Sequence, residues 1–438
     1  ARQFAGQVLR VEPNFPNAVM SLAAAEAYRR AIELQAGNLI ALSGLASLHS
    51  RRGEHAQARQ FAEQVLRAEP NFPNAVMSLA AADVALGAAE KAETLLRGLL
   101  SDPRPTRLEQ ALARSALGDA LDAQGRFREA FEAYTSANEE RRLIYASRFA
   151  NERTTLELAQ AMQGYFQRTS RDSWHRSMQA VAPSGARGHV FLIGFPRSGT
   201  TLLEQVLASH ADVEALEERE TLIDGAREYL REPEGLERLA HAPEPELDRF
   251  RALYWQRVAE AGAAVRGKYF VDKHPLNGLK LPLIARLFPH ARVLLALRDP
   301  RDVILSCFRR RFAMSAPYYQ LLTLQGAAAM YDAVMQLTTG LTDLVQLPTI
   351  EVRLEELIAD FDGEVRRICG FIGLQWSDSL RDFAARVAER NIVTPSGAQL
   401  AGGLSASGIG HWRHYHTQLA PVLPILEPWI SRFGYSAR

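Results

Sequence analysis

Cysteine is nearly absent from this chain: only Cys307 and Cys369 occur in 438 residues. Two thiols cannot build a disulfide framework, and Cys307 reads as a small core residue. No run of about 18 consecutive apolar residues exists, so no membrane-spanning helix is expected. No leader sequence is visible either, and a cytoplasmic place is the expectation. Histidine and cysteine never cluster at zinc-ligand spacing, so no metal is expected. Charge of one sign is also lacking: 51 Lys and Arg stand against 50 Asp and Glu, for a net charge of +1. That balance excludes the broad basic field of a nucleic-acid binder. What remains is ordinary globular composition, 47% hydrophobic and 23% charged, at a length that suits two or three domains.

The most informative stretch is 190–210, VFLIGFPRSGTTLLEQVLASH. Val190, Phe191, Leu192 and Ile193 read as a buried strand. A tight turn follows, and Leu202, Leu203, Val206 and Leu207 then mark the inner face of a helix. Strand, glycine turn and helix together point backbone N–H groups and a helix N-terminus at an anion. Arg197 and the hydroxyls of Ser198, Thr200 and Thr201 add donors there. A nucleoside-triphosphatase loop would need G-x-x-x-x-G-K-[ST], but Thr200 stands where its Lys belongs. An ATP- and magnesium-dependent kinase is therefore the weaker reading.

PRSGTT after a strand resembles the 5′-phosphosulfate loop of sulfotransferases that use 3′-phosphoadenosine 5′-phosphosulfate (PAPS). The resemblance covers roughly 188–438 and implies that Pro196, Arg197, Ser198, Gly199, Thr200 and Thr201 hold the donor. In 292–311, RVLLALRDPRDVILSCFRRR, Arg298 and Ser306 resemble the family's pair for the 3′-phosphate, with Arg310 in the same phosphate site. An Arg fork and a hydroxyl suit a phosphate dianion. Glu218, eight residues after His210, resembles the general base of the protein-tyrosine enzymes, with Glu217 and Glu220 as close competitors. Lys273, in FVDKHPLN, takes the place of the Lys on the leaving phosphate. Ser396 and Gln399, in TPSGAQL, take those of the catalytic serine and its neighbouring amide. Three positions depart from the family: Leu216 stands where a Gly usually precedes the Glu pair, Leu354 replaces a Tyr near the adenine, and His411 precedes Trp412 where relatives place Arg or Lys.

Residues 38–70 follow a different pattern. Leu42, Leu45, Ala46, His49, Gly53, Ala58 and Pro70 fall on tetratricopeptide positions, and the frame recurs at Leu86, Gly87 and Ala92 and at Leu117, Gly118, Gly125, Ala130 and Tyr134. Gly53 and Gly87 are 34 residues apart, the period of that repeat. Such helix pairs bury their cores only by stacking into a solenoid. Residues 4–25 nearly duplicate 61–82 at an offset of 57, which is no multiple of the repeat.

The expected architecture is thus a helical solenoid over 1–140, a helical linker over 141–187 and a three-layer α/β domain over 188–438. Its mostly parallel strands fall at 190–193, 269–271, 292–297 and 349–353, with ligands at their C-terminal ends. The resemblance implies sulfuryl transfer from PAPS to a hydroxyl acceptor, a peptide tyrosine among the candidates, with release of adenosine 3′,5′-bisphosphate. A repeat scaffold with a nucleotide-sensing domain is the non-catalytic alternative. If the solenoid captures a polypeptide acceptor, its removal should spare a small phenolic acceptor; if it forms a homodimer, both activities should fall together.

Overall fold

A computed structural model describes residues 18–169, 174, 185–384 and 403–436. The N-terminal region is helical throughout: α1 (Ala18–Leu34), α2 (Leu39–Arg51), α3 (His55–Ala68), α4 (Pro73–Ala85), α5 (Ala89–Ser101), α6 (Arg107–Ala123) and α7 (Phe127–Phe149). Gly53, Gly87 and Gly125 sit in the turns between paired helices at φ of 75°, 77° and 74°, where a side chain would be strained. Ala58, Ala92 and Ala130 are fully buried in the second helix of each pair. At Gly118 a Cβ would lie 2.5 Å from the Tyr134 ring, so the closest approach of α6 and α7 requires the glycine. Leu86 is exposed at the end of α4.

A five-stranded sheet follows: β1 (Gly188–Gly194), β2 (Val213–Glu217), β3 (Tyr269–Lys273), β4 (Arg292–Leu297) and β5 (Thr349–Arg353). Every pairing is parallel, in the order β2-β3-β1-β4-β5. The central strand shows why three layers form. Phe191 and Ile193 enter one core and Val190 and Leu192 the other, so both faces of the sheet must be covered by helices. β2 is an element the sequence reading missed, because VEALE sits in an acidic run that resembles a helix start.

The segment expected as a linker is more than that. α7 runs past residue 140 to Phe149, and α8 (Thr155–Phe166) opens with a Thr154/Glu157 capping box. Ala159, Met162 and Tyr165 of α8 are buried in the larger core of the sheet domain. That helix is a layer of the domain. In the other direction, Phe308 of the sheet domain is buried in the solenoid core and stacks on Phe131, with ring centroids 5.2 Å apart. Apolar burial therefore crosses between the two regions.

Candidate active site

The C-terminal ends of β1, β2, β3 and β4 converge, and each delivers a charged side chain. After β1 the chain turns through Gly194-Phe195-Pro196-Arg197-Ser198-Gly199 into α9 (Thr200–Ala208). Arg197 (φ 74°) and Gly199 (φ 93°) both take left-handed backbone, the form that curls peptide N–H groups around an anion. Ser198, Thr200 and Thr201 are buried within the turn. Leu354 starts the helix after β5 and packs over the loop, 3.0 Å from where a Gly199 Cβ would sit.

Three guanidinium groups gather at this end. Arg197 Nε donates to Ser306 Oγ at 3.0 Å, and Arg298 Nη1 donates to the Arg197 carbonyl at 3.1 Å. Ser306 lies in α10 (Pro300–Arg309), and Arg310 follows it. Burial, then Arg310 and Arg298, push the Arg197 guanidinium down to about 9. Among the described residues no carboxylate pairs with Arg298 or Arg310, and the Arg298 Nε is buried without a partner. Like charges buried together with a spare donor form an anion site. The Cys307 Sγ lies 3.4 Å from the Pro196 carbonyl, behind the loop.

The ends of β2 and β3 carry the opposite charge. Their register sets Glu217 beside Lys273, and the Glu218 amide extends the ladder by donating to the Lys273 carbonyl at 2.7 Å. Lys273 is fully buried, with Nζ 2.9 Å from Glu218 Oε1 and 3.3 Å from both Glu217 Oε1 and Glu204 Oε2. Burial alone would lower the Lys273 ammonium; Glu218, Glu217 and Glu204 outweigh it and hold it above its ordinary value. Burial would likewise raise Glu218, but Lys273 wins and keeps that carboxylate below its usual range. Glu204 goes the other way: burial dominates over Lys273 and pushes it up to about 8. Glu218 also adopts φ 45°. With Arg197 and Gln346 it makes up the non-glycine residues at positive φ among those described, so two of these three strained backbones lie in this site.

The loop bearing Glu218 is pinned on both sides. Thr221 donates to the buried Asp272 at 2.7 Å, and Tyr254 donates to the same oxygen at 2.8 Å. Glu220 pairs with Lys280 at 2.7 Å and His274 at 3.2 Å, which turns it away from Lys273. The competition among acidic residues thus resolves: Glu218 and Glu217 face Lys273, and Glu220 does not. Tyr318 stacks on Phe312 with ring centroids 4.5 Å apart, and its hydroxyl is pushed upward by burial first and then by the Glu218 charge.

The structure brings together Pro196, Arg197, Ser198, Gly199, Thr200, Thr201, Glu218, Lys273, Arg298, Ser306 and Arg310. Ser396 and Gln399 lie outside the described residues. Glu204 escaped the sequence reading although it stands one helical turn beyond Thr200 and Thr201, on the face they share. No group of three or more His, Cys, Asp or Glu able to hold a metal ion occurs among the described residues. None of the described helices is long and apolar enough to cross a membrane.

Comparison with known proteins agrees with this geometry. Residues 189–378 match the sulfotransferase family, and residues 51–115 match the tetratricopeptide repeat. An uncharacterized protein of Aquifex aeolicus is 26% identical over 430 residues, 94% of this chain; the chain spans 53% of that relative's length. A putative protein-tyrosine sulfotransferase of Caenorhabditis briggsae is 25% identical over 56% of this chain and 88% of its own. Protein-tyrosine sulfotransferase 2 of Gallus gallus is 23% identical over 56% and 69% respectively. Residues 189–378 are thus similar to the sulfotransferase family and follow a stretch similar to the tetratricopeptide repeat.

Proposed function

We propose that this protein transfers a sulfuryl group from PAPS to a hydroxyl acceptor and releases adenosine 3′,5′-bisphosphate. The observation that carries the reading is the cluster of buried Arg298 with half-buried Arg197 and Arg310, which lies within electrostatic reach of a Lys–carboxylate pair, in a loop without the P-loop lysine of a kinase. The spare Arg298 Nε and the left-handed Arg197–Gly199 turn fit a donor rich in phosphate oxygens. Pro196 through Thr201 would cradle its 5′-phosphosulfate, and Arg298, Ser306 and Arg310 its 3′-phosphate. PAPS supplies an activated sulfuryl group on a good leaving group.

The chain's own residues position the reactants and handle charge. Glu218 takes the proton of the acceptor hydroxyl as its oxygen bonds to sulfur. The bond from sulfur to the bridging oxygen breaks, and that electron pair leaves with the 5′-phosphate, whose charge Lys273 and Arg197 offset. Ser396 is proposed to add a donor there. Lys273 links the two ends. While it holds Glu218 at 2.9 Å the carboxylate is a weak base; sharing the ammonium with the leaving phosphate loosens that hold and strengthens the base. A phenolic hydroxyl of a peptide is the acceptor class we favour. The similarity to protein-tyrosine sulfotransferases supports it, as does the Phe312–Tyr318 ring pair, which feels the Glu218 charge.

Thermal unfolding with nucleotides tests the donor reading. Adenosine 3′,5′-bisphosphate at 100 times its Kd should stabilise the fold by about 2.7 kcal/mol, and ATP with magnesium by much less. Equal or greater stabilisation by MgATP would return the assignment to a kinase. Labelled PAPS offered with peptide, glycan and phenol panels then identifies the acceptor.

A further inference from the structure

Residues 308–312 are anchored on the solenoid at four points. Asn138 Nδ2 of α7 donates to the Phe308 carbonyl at 2.9 Å, and Arg141 Nη2 donates to that of Phe312 at 2.8 Å. Between these two anchors, Arg309 pairs with Asp122 at 2.7 Å and Arg311 with Asp119 at 2.8 Å. Asp119 and Asp122 are three residues apart on α6 and so share one face. Both are used fully: Asp119 also accepts from Tyr134 at 2.9 Å, and Asp122 from His411 at 2.9 Å and from Tyr415. The helix carrying Ser306 ends at Arg309, and Arg310 is extended (φ −87°, ψ 142°). The solenoid thus holds the backbone and side chains on both sides of Arg310, which feels Asp119 first among charged neighbours and is itself the foremost charge acting on Arg197.

We infer that Asp119 and Asp122 are positioning residues of the anion site: the solenoid aims Arg310 at the donor by clamping the arginine on either side of it. The inference rests on the proposed donor reading and extends it, because it makes the repeat region part of donor recognition. Asp122 reinforces the site a second way. It holds His411 and Tyr415 beside the 408–412 segment, whose Gly408 carbonyl accepts from Arg298 and whose Gly410 and Trp412 amides bond Asp302 at 2.6 and 2.9 Å.

The test compares full-length wild type, Asp119→Asn/Asp122→Asn and Arg311→Met, using adenosine 3′,5′-bisphosphate as the titrated probe. Losing charged hydrogen bonds of this kind should weaken nucleotide binding about tenfold in the double variant. The KM for the donor should rise in step, while the KM for the acceptor and kcat at saturating donor stay within about threefold. Arg311→Met, at a partly exposed position, breaks the clamp from the other side without touching α6 and should weaken the nucleotide in the same direction. Glu93→Gln, which loosens the Arg97 and Arg126 pairs elsewhere in the repeats, should leave the affinity alone. Wild-type affinity in Arg311→Met, or in a folded double variant, overturns the inference and leaves the donor reading standing. A wild-type chain that does not bind the nucleotide overturns both.

Discussion

At the ends of β1 and β4 the buried charges are guanidinium groups; at the ends of β2 and β3 they are carboxylates around a single ammonium. Arg298 and Arg310 have no carboxylate partner among the described residues, whereas Lys273 has three. Each end departs from neutrality in the opposite sense, and burial magnifies the departure because water cannot screen it. The difference teaches what each end is waiting for. The cationic end gains most from a multiply charged anion. The anionic end is largely satisfied from within and has a proton-accepting group to offer.

The largest expected effect tests that asymmetry through stability. Lys273→Met leaves buried Glu204 and half-buried Glu217 and Glu218 around no cation and should cost about 3 kcal/mol at neutral pH. Arg310→Met relieves repulsion on Arg197, so it should leave the ligand-free protein at least as stable while weakening the nucleotide. Chemical denaturation of both variants measures this, and equal destabilisation would break the comparison. Next come the kinetic effects. Glu218→Gln should lower turnover by roughly 100-fold or more with nucleotide affinity nearly unchanged. Arg197→Ala should reduce kcat by about 100- to 1,000-fold and also raise the donor KM. Should Glu217→Gln be the inactive variant and Glu218→Gln the active one, the base has been placed one residue too far along.

A smaller effect separates two carboxylates within the anionic end. Glu204 is raised to about 8, so the folded state keeps a proton that the unfolded chain releases. Its contribution to stability is present at low pH and is lost as pH climbs from the ordinary carboxylate range through about 8. Glu218 is lowered, so its contribution is present above its ordinary range and is lost as pH falls. Tm measured from pH 5 to 9 should fall less steeply on the alkaline side in Glu204→Gln than in wild type; parallel curves would show that Glu204 is ionised throughout. Smallest is Leu354→Tyr. A ring over Gly199 should tighten nucleotide binding by about 0.5–1.5 kcal/mol if the adenine stacks there, and calorimetric titration of adenosine 3′,5′-bisphosphate reads it directly.

Much of the site was legible because anion recognition is written locally. A strand, a turn with Gly199 and the first turn of α9 lie within one short segment, and so do Arg298 and Ser306. The repeat frame was legible for the same reason: Gly53, Gly87 and Gly125 each answer a local backbone demand. β2 was not legible, since its alternation is broken by Glu214 and Glu217, whose partners Lys268 and Lys273 come more than fifty residues later. The expectation that removing 1–140 would spare a small acceptor was likewise drawn from a solenoid treated as an appendage. With Asp119 and Asp122 on Arg311 and Arg309, its removal should impair donor use with every acceptor.

By itself, then, the sequence determined the strand–turn–helix around Gly199, the helical repeats and the parallel strands that end at Lys273 and just before Arg298, because periodicity and turn chemistry act over a few residues. Only the tertiary structure decided which acidic residues meet Lys273, where Glu204 enters, and that two solenoid aspartates pair with the arginines on either side of Arg310. Those outcomes depend on strand register and on contacts spanning up to 192 residues, and charge placed by such contacts leaves no pattern in the local sequence.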